Sequence, residues 1–135
     1  MSDMPCLTSL DPNVIYTAKC QLERQPDIPK SPAIFHEDGT KELCLAAALA
    51  QAGLATQEPD SSESFVTQLQ RDSRSVFQID LAFERMGWGA DLSRKVRELN
   101  DSFPDSTRKQ SVLELLYQIT QDDAQPDWEQ VDNLS

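Results

Sequence analysis

Apolar residues recur every three or four positions through the second half of the chain, which is the spacing of one face of an α-helix. The clearest stripe runs from Leu92 to Phe103; it follows the glycine-flanked turn at 87–89 and ends before Pro104. Because glycine accommodates tight turns and proline cannot continue a helix, both ends of this stripe are marked. The pattern predicts two amphipathic helices over residues 79–103, joined by the turn.

An earlier apolar run, Leu43 to Ala50, predicts a helix of a different kind. We expect this helix to span residues 41–52, with Thr40 as its N-cap and Gly53 as its stop. The run has no polar face, and a helix that is apolar on every side is normally buried among other helices. The sequence therefore predicts that this helix is the centre of a bundle.

Short polar residues mark the starts of the other helices. Asp60 and Glu63 have the spacing of a capping box, with Asp in place of the usual Ser or Thr. Asp91 is the expected cap of the helix that carries the Leu92 stripe, and Asp105 or Ser106 is the expected cap of the last helix. The short links between these helices predict antiparallel neighbours in a compact bundle.

Residues 1–38 have a different character from the rest. They hold five of the eight prolines, which remove amide donors and favour extended backbone. Within this arm, residues 13–22 alternate apolar and polar positions, as a strand does, and the same residues can form a short helix. Both interpretations remain open at this stage, and we expect the arm to be partly ordered.

These patterns predict a mainly α fold, a small irregular bundle of about five helices with a partly extended N-terminal arm. The predicted organisation is an arm at 1–38, a helical domain at 39–121 and an acidic tail at 122–135. The tail carries five acids and no base.

Composition narrows the class of partner. The formal net charge is −11 and the isoelectric point is about 4.3, so binding to nucleic acid phosphates or to anionic lipid is not expected. Such a charge suits a protein partner with a basic surface, or serves solubility alone. No apolar run is long enough to cross a bilayer, and no N-terminal signal is evident. Three widely spaced cysteines indicate a reducing compartment, so we expect a cytoplasmic location.

Candidate chemistry is sparse, and we expect no enzyme, no metal site and no cofactor. His36 is the only histidine, and Cys44 follows it eight residues later. A nucleophilic pair of this kind also needs an orienting group and an oxyanion site, so it is the weakest alternative. Ser61, Ser62 and Ser111 are possible phosphorylation sites that the sequence does not decide.

The segment 92–103 resembles the BH3 helix of the Bcl-2 apoptosis family. Leu92, Val96, Leu99 and Phe103 match the four apolar anchors of that pattern, and Asp101 matches its acid. The resemblance implies a helix whose anchors enter a hydrophobic groove of a partner, while the acid pairs with an arginine of that groove.

Three positions depart from the family pattern. Val96 stands where the family usually has Leu, and Asn100 replaces a small residue that allows close helix approach. Pro104 ends the helix directly after the last anchor. The alternative is that the same stripe is the core face of an ordinary helix.

The function expected from the sequence is that of a non-catalytic cytoplasmic regulator or adaptor that binds another protein. The alternatives are an acidic inhibitor, of the toxin-neutralising or DNA-mimicking type, and a BH3-like regulator of apoptosis. The oligomeric state is not readable from the sequence. The residues expected to contact the partner are Trp88, Leu92, Arg94, Val96, Arg97, Leu99, Asp101 and Phe103.

Overall fold

The computed structural model describes residues 10–30, 33–57, 59–71 and 76–121, and it describes side chains in these ranges except at 59–62 and 120–121. The predicted tail at 122–135, the first nine residues of the arm and the side chains of Asp60, Ser61 and Ser62 lie outside this description. The elements of the described chain are α1 (Pro12–Arg24), β1 (Ala33–Phe35), β2 (Lys41–Leu43), α2 (Leu45–Gln57), α3 (Pro59–Arg71), α4 (Val76–Arg85), α5 (Ala90–Ser102) and α6 (Arg108–Gln121). The predicted class, a mainly α irregular bundle, is confirmed.

Helix α2 is the centre of the bundle. Nine of its thirteen residues are buried, and α1, α3, α4 and α5 all pack against it. A helix of alanine and leucine has no face that must meet water, so neighbours can cover it on all sides. The central position predicted for the apolar run is therefore what the structure has.

The start of this helix was predicted four residues too early. Residues Lys41–Leu43 form β2, which pairs antiparallel with β1, so that Ala33 faces Leu43 and Phe35 faces Lys41. Thr40 caps no helix: its amide and hydroxyl donate to Asp38 Oδ1 at 3.0 and 2.6 Å inside the hairpin turn. The predicted boundary between residues 38 and 39 lies within this hairpin.

The predicted stop of the same helix is also wrong, because α2 continues through Gly53 to Gln57. A Cβ atom at Gly53 would lie 2.1 Å from Met86 Sδ and 2.5 Å from Trp88 Cη2. Gly53 therefore allows the turn after α4 to pack closely on α2. The residue serves packing, whereas the prediction assigned it to helix termination.

Residues 13–22 of the arm are helical. Asp11 caps α1 by accepting a hydrogen bond from the amide of Asn13 at 2.8 Å, and Pro12 occupies the first turn. The helix packs on α2 and α6. Its buried side chains are those of Val14, Ile15, Ala18 and Leu22, which is a helical spacing. Three of them (Val14, Ala18 and Leu22) also fit the apolar–polar alternation of a strand, so the sequence pattern suited both structures.

Helix α5 begins after Gly89, whose φ of 93° is in the glycine-favoured region. Asp91, the predicted cap, lies inside the first turn. Phe103 has extended backbone (φ −75°, ψ 143°), as the residue before a proline should. The stop predicted at Pro104 therefore agrees with the structure.

Candidate functional site

The apolar residues predicted to contact a partner lie on the inner face of α5. Val96 is fully buried, and Leu92, Leu99 and Phe103 are half-buried against the hydrophobic core. Because these side chains already pack within the protein, they present no free apolar face while α5 is docked.

Trp88 also faces the core. Its ring meets Phe83 edge to face, with centroids 5.1 Å apart, a favourable arrangement for two aromatic rings. The far edge of the indole is the group that closes on Gly53. Trp88 therefore packs the turn between α4 and α5 against the central helix.

The charged residues of α5 are engaged locally. Arg94 pairs with Asp91, and Lys95 reaches the same carboxylate at 3.3 Å; the Lys95 hydrogen bond is the main cause of the lowered pKa of Asp91. Arg97 pairs with Asp80 of α4 at 3.2 Å. The outer face of α5 thus mixes acids and bases within one turn.

Asp80 and Arg97 belong to a small polar contact between α4 and α5. The hydroxyl of buried Ser93 donates to Asp80 Oδ1 at 2.6 Å. Arg97 donates to the same oxygen. The predicted site residue Arg97 is therefore part of helix packing.

Asn100 is fully buried and joins three parts of the chain. Its Oδ1 accepts the amide of Leu45 at 3.1 Å, and its Nδ2 donates to the carbonyl of Pro29 at 3.0 Å. The Nδ2 also donates to Asp101 Oδ1, which places this predicted site residue beside the same contact. The departure from the BH3 pattern at position 100 is thus a structural requirement of this fold.

Arg108 completes this buried polar junction, which we define by the side chains of Gln25, Asn100 and Arg108. The Arg108 guanidinium is almost fully buried and donates to the carbonyls of Ile28, Asn100 and Phe103 at 3.0 to 3.2 Å. It also pairs with Asp105 at the surface.

The side-chain amide of Gln25 bonds both backbone polar groups of one residue, as a neighbouring strand would. Its Oε1 accepts the amide of Leu43 at 2.8 Å, and its Nε2 donates to the carbonyl of Leu43 at 3.1 Å. The irregular segment 25–30 is thereby fixed to the end of β2, two residues before the central helix begins. Nothing in the sequence singles out Gln25, whereas Asn100 shows one signal, a polar residue on the apolar face of α5.

The two residues of the weak enzymatic alternative have separate surroundings. Cys44 is buried at the start of α2, where its Sγ accepts the amide of Ala47 at 3.4 Å. His36 lies in the hairpin, and its Nε2 is 3.3 Å from a carboxylate oxygen of Glu42. Among the residues that the structure describes, no group of three or more His, Cys, Asp or Glu side chains could hold a metal ion.

An open groove with a volume of about 700 Å³ lies between α1 and α6. Its lining combines three apolar residues, Pro26, Leu113 and Tyr117, with an acidic rim of exposed carboxylates. The lining residues are Glu23, Pro26, Asp27, Ser106, Lys109, Gln110, Leu113, Glu114 and Tyr117. We call this the α1–α6 groove.

The charges of this groove are unbalanced. Glu23, Asp27 and Glu114 are exposed, and none of them forms an ion pair with another residue in the described ranges. The one base, Lys109, directs its ammonium to the backbone carbonyls of Gln25 and Glu23. The groove therefore offers three carboxylates to solvent beside its apolar lining residues.

Two exposed tyrosines flank Lys19: Tyr117 lines the α1–α6 groove, and Tyr16 lines a separate pocket between α1 and α2. Tyr16 of α1 is 57% exposed and Tyr117 of α6 is 51% exposed. The ammonium of Lys19 lies over both rings, 5.5 Å from the centroid of Tyr16 and 5.3 Å from that of Tyr117. These distances are those of cation–π contacts.

A second exposed apolar surface lies on α4. Phe77 is 60% exposed and Leu81, one turn later, is 39% exposed. Leu81 lines a smaller cleft of about 200 Å³ between α3 and α4. Arg85 is the one charged residue in the lining of this cleft, so the cleft has no cluster of like charges.

No helix in the described ranges has the length and apolar character required to cross a membrane. Comparison with known proteins finds no match: no protein-family model, no curated protein and no solved structure is significantly similar to this chain.

Proposed function

We propose that this protein is a non-catalytic regulator or adaptor that binds a basic segment of a partner protein in the α1–α6 groove. The observation that carries the proposal is that the exposed carboxylates of Glu23, Asp27 and Glu114 lie in one groove with apolar lining residues. A basic amphipathic segment supplies both the cations and the apolar side chains that such a groove complements.

Charge supports the basic character of the partner. The whole chain carries a net charge of −11, which attracts a cationic segment over a distance and speeds encounter at low salt. Lys109 opposes this attraction with one positive charge, against the three carboxylates of the groove lining. The acidic tail that follows α6 in the sequence adds to the attraction.

The groove replaces α5 as the proposed contact surface. The stripe that resembles a BH3 helix packs on the core, so the BH3-like mode requires α5 to leave the bundle. An acidic inhibitor that mimics DNA needs a continuous acidic face, and the outer face of α5 instead pairs Asp91 with Arg94 and Lys95.

A cytoplasmic setting is part of the proposal. Cys20 and Cys44 carry free thiols, as is usual for proteins in a reducing compartment. The basic partner is therefore sought among cytoplasmic proteins.

The test is binding of a fluorescent synthetic peptide of lysine and leucine in helical register, followed by anisotropy. The double variant Glu23→Gln/Glu114→Gln should bind about tenfold more weakly, since each rim charge contributes on the order of 0.5–1 kcal/mol. The wild-type affinity should also fall as salt is raised from 50 to 300 mM.

The matched control is Glu84→Gln/Glu98→Gln, which removes the same charge from exposed positions on α4 and α5. An equal loss of affinity in both double variants would mean that only net charge matters, and the proposed groove would be wrong. A photo-crosslinking residue at Gln110, on the groove lining, then identifies the native partner.

A further inference from the structure

The two tyrosines beside the groove already hold a cation. Lys19 and Tyr16 are on α1, one turn apart, whereas Tyr117 is on α6, so two helices supply the two rings. The Lys19 ammonium lies within 5.5 Å of both centroids. An ammonium shared by two rings is the arrangement by which proteins recognise lysine and quaternary ammonium groups.

The Tyr16 ring is held in the form that such a contact needs. A hydrogen bond with Cys20, followed by the electrostatic effect of Cys20, raises the pKa of the Tyr16 hydroxyl. Tyr16 is therefore a neutral phenol at physiological pH. Its π face, which carries the negative end of the ring quadrupole, remains the feature presented to a cation.

The position of Tyr117 connects this pair to the groove. Tyr117 contacts Lys19 and also lines the α1–α6 groove. About half of its surface is open to solvent. A cationic side chain that enters along the acidic rim therefore meets this ring.

We infer that Tyr16 and Tyr117 form a cation-binding site which Lys19 occupies in the free protein and which a lysine or arginine side chain of the partner takes over on binding. The identity of that occupant rests on the proposed function, whereas the ring site itself does not. Lys19 acts as an internal competitor: it shields the rings and is displaced by a cation that the groove carboxylates hold nearby.

The first experiment uses tetramethylammonium chloride as a small probe and follows the tyrosine ring signals of the full chain by NMR. Sodium chloride at equal ionic strength provides the reference. The variant Lys19→Met vacates the rings and should bind the probe about three- to fivefold more tightly than the wild type. In that background, Tyr16→Leu or Tyr117→Leu should abolish binding, while Tyr117→Phe should preserve it.

Arg24→Gln is the matched control, because it also removes one positive charge from the exposed surface of α1 without touching either ring. If Arg24→Gln strengthens probe binding as much as Lys19→Met does, the effect is only electrostatic and the inference is wrong. Equal ring shifts with sodium chloride would also overturn it. All substituted side chains are exposed or half-buried, so each variant is checked for an unchanged urea unfolding midpoint.

A second measurement separates this inference from the proposed function. If the lysine–leucine peptide binds through Glu23 and Glu114 but Tyr117→Leu leaves its affinity unchanged, the groove function stands and the inferred handover fails. If tetramethylammonium binds as described but the peptide does not bind at all, the ring site stands and the groove function fails.

Discussion

The segment 25–30 has a buried side and an exposed side, and its polar groups serve different purposes on each. On the inner side, the backbone carbonyls of Ile28 and Pro29 accept hydrogen bonds from Arg108 and Asn100. On the outer side, Asp27 and its neighbours in the α1–α6 groove face water, and their carboxylates form no ion pair within the described chain.

This comparison suggests a way to divide structural polar residues from binding ones. Inside, each donor of the buried polar junction meets a backbone acceptor, and losing one partner leaves a buried group unsatisfied. Outside, the carboxylates are exposed to solvent, and their protein contacts are local hydrogen bonds, from the Ile28 amide to Asp27 and from Gln110 to Glu114. Removing the charge of Glu23 or Glu114 should therefore alter the electrostatic potential of the surface much more than the stability of the fold. Four substitutions, taken in order of decreasing expected effect, distinguish the two kinds of polar residue.

Arg108→Met should disrupt the buried polar junction and destabilise the fold. It leaves the carbonyls of Ile28, Asn100 and Phe103 without their donor, and we expect the free energy of unfolding to fall by about 3–5 kcal/mol. Urea denaturation followed by circular dichroism measures this. The control Lys95→Met removes an exposed cation and should change stability by less than about 0.5 kcal/mol. A loss below about 1 kcal/mol for Arg108→Met would show that the junction matters little.

Gly53→Ala tests whether the close packing of the turn after α4 against α2 tolerates an added methyl group. The added methyl meets Met86 and Trp88, and overpacking of this kind costs about 1–3 kcal/mol, offset by up to about 1 kcal/mol of improved helix propensity. We therefore expect a net loss of about 1–2 kcal/mol in urea unfolding. Met86→Ala in the same chain should restore part of it, and strictly additive losses would refute the close contact.

Asp105→Asn examines the place where the junction reaches the surface. The hydrogen bond from Arg108, followed by its charge, lowers the pKa of Asp105 from its ordinary value of 3.8. A depressed carboxyl pKa stabilises the fold above the unfolded value and loses that contribution as the pH falls through the folded value. The variant should therefore be less stable than the wild type at pH 7, and the difference should shrink below pH 3.8. A difference that is the same at pH 3 and pH 7 would contradict this.

Glu114→Gln should leave the outer side folded as before. Its carboxylate is exposed, and its one described side-chain contact is a long hydrogen bond of 3.5 Å from Gln110. We expect a change in unfolding free energy of less than about 0.5 kcal/mol, together with weaker binding of a basic peptide. A loss above about 1 kcal/mol would place Glu114 among the structural residues.

The sequence predicted the fold correctly where local features, such as apolar spacing or a helix-breaking residue, determine the structure. The apolar spacing of α5 and the proline after it predicted that helix and its end. The absence of a polar face on α2 predicted its central place. In both cases the hydrophobic pattern and the chain-breaking residue agree, so there is little for tertiary contacts to overrule.

Predictions went wrong where a residue type has two physical uses. Gly53 was interpreted as a helix stop, although the close approach of Met86 and Trp88 is what requires it. Lys41 to Leu43 were assigned to the helix, although pairing with residues 33–35 draws them into a strand. Such choices depend on partners distant in sequence, which periodicity does not reveal.

The candidate site was harder to predict than the fold. An apolar stripe with adjacent bases suggested a contact surface on α5, yet the same stripe is the core face of that helix. The α1–α6 groove combines residues separated by more than 80 positions, such as Glu23 and Glu114. No local sequence pattern predicts that these residues line the same groove, because only the docking of α1 on α6 brings them together.

The reach of Arg108 has a consequence for how the chain folds during synthesis. Its guanidinium binds the carbonyl of Ile28, 80 residues earlier, so a nascent chain that has emerged only as far as α5 exposes these acceptors without their donor. Docking of the segment 25–30 beside the end of α5 is therefore complete only when α6 supplies Arg108. Contacts this far apart along the chain form slowly. We therefore expect ribosome-bound chains that end before residue 108 to remain sensitive to protease, and the full chain to acquire resistance in one late step.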